Sequence, residues 1–120
     1  MVTPLVAALY GKHFQAAELL DRHSPDVNVH GGLEYTPLHV SSFDGRTDIV
    51  RWLFDHGADV NAQDFQRWVP LYVAVCYGQL QISRMLLEHN ANINARNIWG
   101  EVPLHRAASP FNERDQLGTM

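Results

Sequence analysis

Apolar residues recur at helical spacing in two stretches of the chain. Between Thr47 and His56 they occupy Ile49, Val50, Trp52, Leu53 and Phe54, and the counterparts thirty-three residues on are Ile82, Met85, Leu86 and Leu87. Steps of three and four bring such positions to one side of an α-helix, so each stretch is predicted to be helical. The apolar surface is wider than a single stripe, as it must be when a helix is covered by neighbours on both sides. Ahead of each stretch stands a shorter apolar run opened by a proline, from Pro37 to Asp44 and from Pro70 to Tyr77. Thr36 before Pro37 is a capping residue followed by proline at the first helical position, where the missing N–H costs nothing. Asp44-Gly45 and Tyr77-Gly78 are turn signals, which leave these first helices about two turns each.

The second helices have identifiable stops. Gly57 tolerates positive φ, Asn90 is the next most tolerant residue, and Ser24-Pro25 halts the first unit with proline. Asp26-Val27-Asn28, Asp59-Val60-Asn61 and Asn92-Ile93-Asn94 then lead into extended, turn-rich links. The whole arrangement is copied in tandem: Pro4-Leu5, Pro37-Leu38, Pro70-Leu71 and Pro103-Leu104 are spaced by 33 residues. An interval of that length marks a repeated supersecondary unit. Three units, 3–35, 36–68 and 69–101, are read from the pattern, with a partial fourth at 102–110, all in one array spanning 1–120.

Helix, turn, helix and projecting loop in this register, with TPLH at 36–39 and GADVNA at 57–62, resembles the ankyrin repeat family over residues 3–108. The resemblance implies an all-α repeat solenoid whose units are antiparallel helix pairs, each with a short β-hairpin finger set at right angles. Fingers and first helices would line a concave face. It also implies a non-catalytic scaffold that binds another protein. His39 and His105, the histidines of TPLH, would hydrogen-bond around the turn, and Asn28, Asn61 and Asn94 would hold the loops between repeats.

Several residues depart from the family pattern. The capping Thr of Thr3 and Thr36 is replaced by Val69 and Val102, a loss worth about 1 kcal/mol per cap. At the finger turn only Gly100 keeps the family's glycine; Glu34 and Arg67 take the other two places, which suggests that those fingers turn differently, with Gly31-Gly32 helping in the first. In the first unit the turn glycine falls one residue early, at Gly11, with Lys12 in its usual place. Positions 113, 115, 116, 118 and 119, where a fourth second helix would be apolar, hold Glu113, Asp115, Gln116, Gly118 and Thr119. Residues 111–120 are therefore expected to be a frayed tail, and the chain to be a segment of a longer array.

The resemblance implies that the residues not needed for packing are the finger tips and the sixth and seventh residues after the proline, and the candidate binding residues are taken at or next to those places. They are Leu9 and Tyr10, Phe43 and Asp44, and Tyr77 with its neighbour Cys76; then Leu33, Tyr35, Phe65, Gln66, Trp68, Ile98 and Trp99. Tyr10, Tyr35, Phe43, Phe65, Trp68, Tyr77 and Trp99 make this set aromatic-rich, the composition of a binding hot spot. The competing reading is that Phe65, Trp68 and Trp99 serve cohesion between repeats. Trp52 and Phe54 are assigned to the core.

Charge and composition narrow the function. A net charge of −4 without a Lys/Arg cluster gives no electrostatic footprint for nucleic acid or an anionic membrane. The longest apolar run, Val69 to Tyr77, is far short of the roughly 20 residues a membrane span needs. The lone Cys76 cannot form an internal disulfide, which suits an intracellular setting, cytoplasmic or nuclear. Seven histidines raise a metal site, but His23, His56 and His89 recur in step at the ends of second helices, in a row and without convergence. No nucleophile signature, phosphate loop or dinucleotide fingerprint is present, so no enzyme activity and no cofactor is expected. The alternative to a protein-binding scaffold is a structural spacer without a ligand of its own.

Overall fold

The computed structural model describes residues 4–23 and 27–103. The cap at Thr3, the Ser24-Pro25 stop, His105, and the fourth unit and tail from Leu104 onward lie outside the described residues. Among the described residues six α-helices form: α1 (Pro4–Tyr10), α2 (Phe14–Arg22), α3 (Pro37–Asp44), α4 (Thr47–Asp55), α5 (Pro70–Cys76) and α6 (Leu80–Glu88), with one 3-10 turn at Gly32–Glu34. They pack in consecutive pairs, α1 with α2, α3 with α4 and α5 with α6, while α3 lies on α5 and α4 on α6. This is a helical repeat fold. Among the described residues no strand forms, and the fingers are turns, where hairpins were expected.

Local chemistry sets the helix ends. Thr36 caps α3: its hydroxyl accepts from the His39 N–H, and its own N–H donates to His39 Nδ1 at 3.1 Å. Nδ1 is thereby an acceptor, so the ring proton sits on Nε2 and donates to the Trp68 carbonyl 2.9 Å away. One side chain thus closes its own helix start and ties it to the end of the second finger. Val69 offers α5 no such cap, as its side chain predicts, and is buried instead. Gly45, Gly57, Gly78 and Asn90 take positive φ where the turn and stop signals place them, and Lys12 does the same at φ 61°, as its register requires.

Leu38, Ile49, Leu53, Leu71, Ile82 and Leu86 are buried between the helix layers. Each such side chain contributes about 1.5–3 kcal/mol on burial. Trp52 joins this core; Phe54 is only partly buried and lays its ring flat on His89 of the next unit at 3.9 Å. Polar links also join successive units. Asn28 accepts from the Asp59 N–H at 2.6 Å and donates to the Gly57 carbonyl, and Asn61 repeats the arrangement with Asn92 and Asn90. Between α2 and α4, Glu18 Oε1 accepts from the Trp52 indole at 3.1 Å and lies 2.7 Å from His56 Nε2. No helix among the described residues is long and apolar enough to cross a membrane.

Candidate functional site

The three fingers share one construction. Gly31, Asp64 and Asn97 each donate their N–H to the carbonyl four residues on, of Tyr35, Trp68 and Glu101. Each also accepts from the N–H three residues on, of Glu34, Arg67 and Gly100, and those three residues all adopt positive φ, at 64°, 64° and 76°. The expectation that the first two fingers turn differently is corrected for the second; the first keeps the left-handed residue at Glu34 but places a further one, Leu33, before it. Closure of the four-residue loop fixes the left-handed conformation whatever side chain sits there, and Glu34 and Arg67 carry a strain of about 1 kcal/mol or more each. Leu33 is also left-handed, at φ 58°.

Asp64 and Asn97 were not singled out by sequence reasoning, yet their side chains shape the fingers. Asp64 Oδ1 accepts from the Gln66 and Trp68 N–H groups, and Asn97 Oδ1 accepts from those of Trp99 and Glu101. The signal was an Asp and an Asn 33 residues apart, with Gly31 at the same step in the first unit. Burial pushes the Asp64 carboxyl up from its ordinary value, against the two backbone donors and His39, which lower it. Adjacent fingers are stitched by the Phe65 N–H to the Leu33 carbonyl and the Ile98 N–H to the Gln66 carbonyl.

On this frame the candidate residues separate into two groups. Leu9, at 0% exposure, and Trp68, at 1%, are buried and present no surface, which corrects their assignment. Counted from the proline, Leu9 matches Ser42, which is also fully buried, so Leu9 stands one place ahead of the sixth and seventh positions. Trp68 ends its finger against Tyr72, whose ring stacks on it at 3.6 Å. Tyr10, Tyr35 and Gln66 are partly buried. The Tyr10 ring is covered by Arg46, 5.4 Å from its centroid, and burial, reinforced by the Asp44 charge, raises its pKa. Tyr35 is likewise raised by burial and then by Asp64.

The second group is open. Phe43 (50% exposed) and Tyr77 (56%) meet edge to face at 4.6 Å across the α3–α5 boundary. Phe65 (48%) meets Tyr35 edge to face at 6.4 Å, and Leu33, Asp44, Ile98 and Trp99 (44%) are exposed as well. Val40 on α3, which sequence reasoning passed over, is also exposed, three residues before Phe43. Among the described residues no three His, Cys, Asp or Glu side chains gather into a metal site. His56 and His89 instead direct Nδ1 at the carbonyl four residues back, of Trp52 and Met85.

Comparison with known proteins agrees with this architecture. A family model described as ankyrin repeats (many copies) matches residues 19–74, and a second, for the single ankyrin repeat, matches 66–98. A search of curated proteins finds no match. The two family models together run from the end of α2 into the third finger and take in the α3–α4 and α5–α6 pairs, and the chain belongs to the ankyrin repeat family.

Proposed function

We propose that the chain is a non-catalytic protein-binding module that holds its partner on the aromatic face formed by finger tips and first-helix ends. Ankyrin repeats generally mediate protein–protein interaction. The observation that carries the reading is a set of four aromatic side chains, Phe43, Phe65, Tyr77 and Trp99, each about half exposed. Their positions could hold polar residues at no cost to the helix pairs, so this apolar area marks a contact surface. Ring contacts already restrain Phe43 with Tyr77 and Phe65 with Tyr35. Little rotamer freedom is left for a partner to remove, and that preorganisation favours affinity.

Affinity purification with mass spectrometry, on wild type and on Tyr77→Ala and Trp99→Ala, tests the proposal. Proteins retained by wild type and by Leu80→Ala, an exposed leucine on α6, are expected to be lost from both aromatic variants, at about 2 kcal/mol or more per residue. An identical set on all four baits would refute the surface and leave the spacer reading standing.

A further inference from the structure

Arg67 carries a charge the fold does not use. It occupies the strained turn position of the second finger, where the third finger has Gly100 in the same backbone conformation. Its side chain is exposed, and among the described residues it has no hydrogen bond, ion pair or ring partner. Of the arginines outside the helices, Arg46 is paired with Asp48 at 2.9 Å and Arg96 donates to the Gly100 carbonyl at 2.7 Å, whereas Arg22, Arg51 and Arg84, on the second helices, are exposed as Arg67 is. Glu34, the equivalent of Arg67 in the first finger, has its carboxylate 3.6 Å from His30. Glycine would relieve the turn at position 67, so arginine there is held against local conformational preference.

We infer that Arg67 selects a partner segment bearing a carboxylate next to a bulky apolar side chain. The inference rests on the binding surface proposed above and specifies the chemistry of its occupant. An arginine fork binds a carboxylate with two parallel hydrogen bonds. Phe65, two residues away on the same tip, is half exposed and stacks edge to face with Tyr35, which supplies the apolar half of the contact. The complementary ligand is an acidic peptide with an aromatic or branched aliphatic residue beside its Asp or Glu. In a chain of net charge −4, general attraction would favour basic peptides, so an acidic preference would be specific to this tip.

The test is selection of a random peptide library displayed on phage against the immobilised full chain. Wild type is expected to enrich peptides with Asp or Glu adjacent to a bulky apolar residue. Arg67→Glu, which copies the residue of the first finger, is expected to lose that preference and favour Lys or Arg. A synthetic peptide from the wild-type selection should bind Arg67→Gly about fivefold or more weakly, and its binding to wild type should weaken with added salt. The glycine variant relieves the strained turn, so misfolding would not account for the loss. Apolar enrichment without an acidic bias, or a bias that persists in Arg67→Glu, would overturn the role of Arg67 and leave the binding surface intact. No enrichment on wild type would overturn both.

Discussion

Replacing Trp68 by alanine separates cohesion from recognition. Its indole is 1% exposed and stacks on Tyr72 at 3.6 Å, at an interplanar angle of 9°. The main-chain groups of residue 68 remain in place after the substitution: its N–H bonds Asp64, and its carbonyl accepts from His39. The loss is therefore that of the side chain, about 3–5 kcal/mol for a buried tryptophan cut to alanine. Set against a total of about 5–15 kcal/mol, this is from about a fifth to most of the stability of an ordinary domain. At about 4 °C per kcal/mol for a chain of this size, the melting temperature should fall by about 12 °C or more. Trp99, at 44% exposure, should lose no more than about 1 kcal/mol under the same change. Urea denaturation followed by far-ultraviolet circular dichroism measures both, independently of the fluorescence that either substitution removes. If Trp99→Ala proves as damaging as Trp68→Ala, the division into buried and open aromatics is wrong.

Three other outcomes are expected. Burial holds the His39 pKa below the ordinary histidine value, so the unfolded chain binds the extra proton first as pH falls. Stability should be full above about pH 6.5 and decline below it, and an equally steep decline in His39→Gln would exclude this ring as the cause. Glu34→Gly should raise stability by about 0.5–1 kcal/mol, the relieved strain exceeding the extra freedom glycine has when unfolded, and a lower denaturation midpoint would contradict the strained turn. Glu18→Ala removes the acceptor of Trp52 and the partner of His56, at about 1 kcal/mol given the half-exposed carboxylate. Hydrogen exchange should quicken in α1 and α2 with α6 unchanged; uniform acceleration would show that the link is not local.

The helix pairs were legible because their determinants are local. Proline at a helix start, glycine or asparagine at a stop, and apolar steps of three and four operate within one unit, and the 33-residue period multiplies the signal. What escaped was the consequence of stacking. Trp68 and Trp99 look alike in a list of finger residues, yet one is covered by Tyr72 and held through its carbonyl by His39, while the other stays open. Register sets Trp68 with Tyr35 and Glu101 at the close of a finger and Trp99 with Gln66 at a tip, but Tyr35 and Glu101 are only partly buried, so register alone does not give the full burial of Trp68. Leu9 was misplaced for a smaller reason: it is the fifth residue after Pro4, one place short of the sixth, in a unit whose left-handed turn residue is Lys12. At Glu34 and Arg67 residue preference pointed away from a left-handed turn, and loop closure overrode it.

The side chains of Asn28 and Asn61 grip main-chain groups of the following unit, at Asp59 and Gly57 and at Asn92 and Asn90. Every polypeptide carries the same amides and carbonyls, so this fastening makes no demand on what the next module displays. Duplication, deletion or exchange of a module leaves the join intact. Surface residues are then free to diversify while the scaffold beneath them keeps its pitch.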